Sequence, residues 1–196
     1  MEAVIVDSGG ANLASLRYAL ERLGARTHVS RDAATIASAA RVILPGVGAA
    51  GQAMARLRAA GLIGVLRTLE QPVLGICLGM QLLFEASEED GTECLGVMPL
   101  SARRLEPAAG HPVPHMGWNG LQRVRADPLL EQVADGDYVY FVHSYAAPPT
   151  EHTLASAEYG AAVSAVVRRG NYWGTQFHPE RSAAPGARVL DNFLRL

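Results

Sequence analysis

The segment Gly75-Ile76-Cys77-Leu78-Gly79 sets a thiol between an apolar strand-like run and a helical one, the arrangement of a nucleophile elbow. So sharp a turn forces its central residue into a strained backbone conformation, and glycines two positions to either side let neighbouring backbone approach without Cβ clashes. A thiol held there stands at the carboxyl end of a sheet, beside a helix N-terminus whose dipole favours the thiolate. Outside such a setting a free cysteine is a small buried apolar residue. About a hundred residues further on comes Gly174-Thr175-Gln176-Phe177-His178-Pro179-Glu180. On an extended backbone His178 and Glu180 project to one face, and Pro179 keeps the residue before it out of the helical region. A thiol needs a base to take its proton, and an imidazole needs a carboxylate to hold its tautomer. Cys77, His178 and Glu180 supply those three roles. A His-Pro-Glu tripeptide alone is an ordinary loop; its force comes from the elbow. Gln81, one helical turn after Cys77, faces the same way and can bind a substrate by hydrogen bonds.

The elements that must position these residues alternate in the first half of the chain, which predicts an α/β fold with a largely parallel sheet. Strands are expected at residues 3–7, 26–30, 41–44 and 72–76. Helices are expected from a cap at Asn12 to about 23, from about 32, at 49–60, at 62–69 and at 78–85. The third strand should stop at Pro45 and open into the turn Gly46-Val47-Gly48, whose two glycines leave the peptide units around Val47 easy to reorient. In the second half, β-like stretches at about 103–105, 120–124, 138–142, 153–159, 162–168 and 172–176 predict antiparallel strands added to that core. Residues 88–91 read as a charged surface loop, and 185–194 as a final helix that docks through Val189, Leu190 and Phe193.

Composition narrows the function classes. With 196 residues, 49% apolar and 18% charged, the chain is expected to be a single folded domain over residues 1–196. A net charge of -2 offers no basic surplus for phosphate backbones or anionic membranes, so neither nucleic acid nor membrane is an expected partner. No signal-like or membrane-spanning run is present in the sequence, which points to the cytoplasm. The two cysteines, Cys77 and Cys94, are expected to be free thiols, and no metal or other cofactor is expected: prolines between His111 and His115 rule out helical ligand spacing.

Gly75-Ile-Cys-Leu-Gly-Met-Gln81 together with Thr175-Gln-Phe-His-Pro-Glu180 resembles the class I, or triad-type, glutamine amidotransferases, and the resemblance spans the chain. It implies a three-layer, flavodoxin-like fold and glutamine as substrate. It also implies that Cys77 attacks the amide, that His178 acts as base and then acid, and that Glu180 orients it. The backbone N–H of Leu78 is one candidate donor to the oxyanion. The Gly46-Val47-Gly48 turn, otherwise an ordinary strand-to-helix connection, resembles the family's oxyanion strand, with Val47 and Gly48 as donors and Gly46 against the substrate. His143-Ser144-Tyr145 resembles the family's backbone contact to the amino-acid end of glutamine.

Ammonia released into water becomes mostly unreactive ammonium, so the glutaminase must deliver to a synthase site, expected on another chain. Asp7-Ser-Gly-Gly-Ala-Asn12, Pro114-His-Met-Gly-Trp-Asn119 and Tyr140-Phe-Val-His-Ser-Tyr145 resemble the subgroup that forms a heterodimer with a (β/α)8-barrel cyclase subunit in histidine biosynthesis. That resemblance puts Asn12 near the ammonia exit and Met116, Trp118, Asn119 and Arg181 at the interface. By residue type alone Asn12 is equally a helix cap, and Trp118 is either a core residue or a loop aromatic that anchors an interface. Ser8, Ala11 and Arg181 depart from the subgroup's usual tyrosine, glycine and lysine; Arg keeps the charge of Lys but presents a planar fork. The alternatives are a glutaminase subunit of another amidotransferase, or a γ-glutamyl cysteine hydrolase that needs no partner.

Overall fold

A computed structural model describes residues 1–9 and 13–196. The expectations for Ala11 and Asn12 lie outside the described residues. Five parallel strands form the centre of the fold: β1 (Glu2–Val6), β2 (Arg26–Ser30), β3 (Val42–Gly46), β4 (Val73–Cys77) and β14 (Tyr172–Thr175). Three antiparallel strands extend the sheet: β13 (Ala161–Arg169), β12 (Thr153–Tyr159) and β9 (Gln122–Arg123), giving the order β2-β1-β3-β4-β14-β13-β12-β9. Two smaller sheets flank it. One pairs β10 (Tyr138–His143) with β8 (His115–Gly120); the other holds β11 (Tyr145–Ala146), β7 (Met98–Arg104), β5 (Phe84–Ser87) and β6 (Thr92–Glu93).

Alternation along the central strands divides the core into two layers. Ala3, Ile5, Ile43, Leu74 and Ile76 pack with Leu16 and Leu20 of α1 (Leu13–Arg22) and with Val189, Leu190 and Phe193 of α6 (Ala183–Arg195). Val4, Val6, Val42, Leu44 and Val73 face the other way. They meet α2 (Ala33–Ala37), α3 (Ala50–Ala59), α4 (Leu62–Arg67) and α5 (Leu78–Leu82) through Ile36, Met54, Leu57, Leu66 and Leu78. Helix, sheet and helix make three layers, in keeping with the α/β expectation of a mostly parallel sheet with added antiparallel strands.

Several boundaries differ from the sequence expectation. β3 does not stop at Pro45; it continues to Gly46, pairing Pro45 with Ile76 and Gly46 with Cys77. Its ladder to β1 covers only Val42 and Ile43, so the missing N–H of proline falls where no partner strand needs it. Pro45 still offers its carbonyl, which accepts the Ser8 hydroxyl at 3.0 Å. α5 ends at Leu82 and the chain is already β5 at Phe84, because Leu82, Leu83 and Phe84 are fully buried and carry no helical periodicity to mark the change. The segment around Trp118, which gave no strand signal in the sequence, forms β8, held by a six-residue ladder to β10 that is invisible in local composition. Residues 120–124 divide between the end of β8 and the short β9.

Candidate active site

β4 enters the elbow at the centre of the sheet, with β3 on one side and β14 on the other. Cys77 sits at φ 53, ψ -112, in the region L residues rarely occupy, at a cost of about 1–3 kcal/mol. Three glycines admit this geometry by packing. A Cβ on Gly75 would meet Gly79 O at 2.7 Å, and one on Gly46 would meet Gly79 N at 2.7 Å, while one on Gly79 would land on the carbonyl oxygen of Leu44. α5 has five residues, so it contributes unpaired N–H groups at its first turn rather than a long dipole.

His178 follows β14, next along the sheet. Its N–H donates to Tyr140 O at 3.0 Å, its carbonyl accepts the Ser182 hydroxyl at 2.7 Å, and Ser182 Oγ in turn accepts the N–H of Tyr140 at 2.9 Å. His178 Nδ1 lies 2.8 Å from Glu180 Oε1, and both side chains are buried. The pairing arises differently from expectation. Only His178 is extended, at φ -93, ψ 99; Glu180 lies in a 3-10 turn, Pro179–Arg181, which curls its carboxylate back to the imidazole.

Burial works against a charge on His178, but hydrogen bonds to Cys77 and Glu180 and the negative charge of both raise its pKa to about 10. The site thus favours the charged imidazolium, with Cys77 on one nitrogen and Glu180 on the other. Because the folded pKa lies above the ordinary value of 6.5, the stability it contributes is complete below about 6.5 and is lost as pH rises through about 10. NMR of the His178 ring should show no titration across neutrality, and Cys77→Ala should move its titration to lower pH. A wild-type midpoint near 6.5 would overturn this charge assignment.

A cavity of about 360 Å³, the size suited to a small-molecule ligand, opens onto Cys77 and His178. Val47, Gly48 and Leu78 line one part of it, and Gln81, His143, Ser144 and Tyr145 another. Gly46 does not line it: it faces a small recess with Leu16 and Glu180, and its role here is close packing against α5. Of the two glycines beside Val47, Gly48 alone has open space, at φ +87, so the turn is less free than its composition suggests. The two amide hydrogens of Gln81 go to Tyr145 O at 2.8 Å and Gln176 Oε1 at 3.0 Å, which leaves its carbonyl oxygen as an acceptor for a substrate. His143 Nδ1 donates to the same Tyr145 carbonyl at 2.9 Å. Burial and the neighbouring His115 push its pKa down to about 3, so it is a neutral ring.

Glu89 also lines the cavity, which the sequence reading of residues 88–91 as a surface loop missed. Its Oε2 accepts the N–H of Ala50 at 2.7 Å, tying the segment 89–91 to the first turn of α3. No spacing in the sequence signals a contact between residues 39 apart. Val142 was likewise missed; its carbonyl lies 3.7 Å from Cys77 Sγ.

The expected interface residues gather partly. Met116 and Trp118 are 64% and 52% exposed on β8, and Tyr138 on the paired strand is 63% exposed. Trp118 is therefore neither core nor loop, but an exposed strand residue. It meets Tyr140 edge-on, and the guanidinium of Arg181 lies 4.9 Å over that same ring. Asn119 is instead used internally: its Nδ2 donates to Glu158 O at 2.7 Å and its Oδ1 accepts the N–H of Gly120 at 2.8 Å.

Comparison with known proteins agrees with this geometry. Residues 4–196 match the family model for glutamine amidotransferase class-I. The chain is 55% identical, over 100% of its length and 98% of theirs, to the imidazole glycerol phosphate synthase subunits HisH of Xanthomonas oryzae pv. oryzae (strain MAFF 311018) and Xylella fastidiosa (strain Temecula1 / ATCC 700964). Among solved structures, a glutamine amidotransferase superimposes with TM-score 0.75 at 21% identity, covering 98% of this chain and 97% of that one. PurLQS from Thermotoga maritima superimposes with TM-score 0.71 at 19% identity, covering 99% and 97%. At those identities the structures speak for the fold, whereas the family model and the near relatives speak for the enzyme. The chain belongs to the class-I glutamine amidotransferase family, and it is a glutaminase.

Proposed function

We propose that the chain is the glutaminase subunit of an imidazole glycerol phosphate synthase, working in the cytoplasm. There it passes ammonia to a cyclase subunit of (β/α)8-barrel fold for histidine biosynthesis. The observation that carries this reading is the end-to-end 55% identity to subunits of that enzyme. In the proposed reaction the Cys77 sulfur attacks the amide carbon of glutamine, and the carbonyl electrons move to the oxygen. The N–H of Leu78 and a donor of the Val47-Gly48 turn stabilise that oxyanion. His178 gives its proton to the departing nitrogen, ammonia leaves and a Cys77 thioester remains. His178 then takes a proton from water, which attacks the thioester; glutamate departs and the thiolate returns. Glu180 holds the imidazole orientation throughout. The Gln81 oxygen and the Glu89 carboxylate suit the α-ammonium group of the substrate.

The test is to mix the chain with the barrel cyclase and follow complex formation and glutamate release. A one-to-one complex that makes cyclase product from glutamine is expected; the absence of any complex would overturn the assignment. The exposed Met116, Trp118 and Tyr138 patch supports docking on this face, since aromatic residues commonly dominate binding energy. Trp118→Ala should weaken the complex by about 10–100-fold in calorimetric titration, while the melting temperature barely moves because the ring is half exposed. Unchanged affinity would place the interface elsewhere.

A further inference from the structure

Gln176 is a fully buried polar side chain between the end of β14 and His178. A buried carboxamide has to place both its oxygen and its nitrogen against partners. Its oxygen is fixed by Gln81, which donates to it at 3.0 Å, so its nitrogen must point the other way. There it faces Cys77 Sγ at 3.9 Å. The Tyr145 carbonyl, Gln81, Gln176 and the sulfur thus form one directional chain in which each carboxamide nitrogen donates toward a defined acceptor. Reversing Gln176 would set its N–H2 against that of Gln81 and its oxygen against the sulfur.

We propose that Gln176 is a positioning residue for the nucleophile: its amide holds the Cys77 sulfur and favours the thiolate, with its orientation set by Gln81. The physical reason is the difference between the two forms of sulfur. A thiolate is a strong acceptor and a thiol a weak one, so a fixed N–H donor stabilises the anion selectively. The inference rests on the reading of Cys77 as nucleophile. Alkylation measures the sulfur directly, and so separates failure of this step from failure of that reading, which glutamine turnover in a Cys77 variant tests.

The experiment uses the full chain as wild type, Gln176→Met and Gln176→Glu. Each is treated with iodoacetamide over a range of pH, with mass spectrometry of the Cys77 peptide. Cys94 is the internal control: burial and the neighbouring Glu93 push its thiol up to about 11, so it should stay unlabelled near neutrality. Gln176→Met keeps length and volume but removes the donor. The alkylation profile is expected to move to higher pH by about one unit, with rates about tenfold slower on its acid limb and converging with wild type in alkali where the thiol ionises unaided. The kcat for glutamine should fall more than KM rises. A role in packing alone predicts a lower melting temperature with an unmoved profile, and that result overturns the proposal. If Gln176→Met does not fold, Gln176→Glu, which has the same shape and still accepts from Gln81, decides the matter: superimposable profiles with wild type overturn it.

Discussion

Cys77→Ala is expected to lower glutamine-dependent product formation by about 10⁴-fold or more, while the same complex still makes product from added ammonium salts. The fold should survive. Alanine carries the same Cβ through the φ 53, ψ -112 elbow, and the buried sulfur it loses lies on the cavity lining, so the space left opens to the cavity. What is lost is the atom that forms the thioester in the proposed reaction, and no other cavity-lining side chain beside His178 carries a comparable nucleophile. The matching control is Cys94→Ala. Cys94 lies in the second apolar layer, away from the cavity lining, and its loss should leave turnover unchanged at a cost of about 1 kcal/mol in stability. Glutamine-dependent turnover persisting in Cys77→Ala, or vanishing in Cys94→Ala, would move the nucleophile to another residue.

How much of this was legible beforehand depends on whether the determinant is local. The elbow was readable because its constraint is written in adjacent residues: Gly75 and Gly79 stand two positions from Cys77, and the structure gives both a backbone neighbour that forbids a Cβ. The His178 and Glu180 pairing was readable from the same short range, although through the wrong backbone, since a 3-10 turn rather than a strand brings the carboxylate home. Features that depend on distant pairing were not readable. Glu89 reaches the cavity because a turn between β5 and β6 docks on α3, and β8 exists because β10 supplies its ladder. Gln176 belonged to the motif from the start, but its chemistry depends on Gln81, 95 residues earlier. Fold class fared better than boundaries, because alternating β and α periodicity survives in the first half. The all-buried run at Leu82, Leu83 and Phe84 erased the signal that separates a helix end from a strand start.

The glycines around the elbow give the last prediction, because they look alike in sequence and differ in what surrounds them. Gly79→Ala should destabilise the chain by about 3 kcal/mol or more, seen as a marked fall in melting temperature or loss of the folded protein. The new methyl would occupy the place of the Leu44 carbonyl oxygen, with Leu44 C and Pro45 C close behind. Those atoms are backbone of β3, which is hydrogen-bonded to β4 over Val42 to Gly46, so relief requires shifting a central strand or lifting α5 away from the sheet. Either movement also displaces Cys77 from His178 on the neighbouring strand position. Gly48→Ala is the contrast. A Cβ there meets nothing within 4 Å, and the only cost is an alanine at φ +87, about 1–2 kcal/mol, which leaves a folded chain with an altered turn beside the cavity. Gly79→Ala should therefore lose fold and turnover together, whereas Gly48→Ala should lose turnover with the melting temperature largely kept. Thermal unfolding by circular dichroism, run beside glutamate release, separates the two. A Gly79→Ala protein as stable as wild type would mean that α5 does not rest on β3 as described.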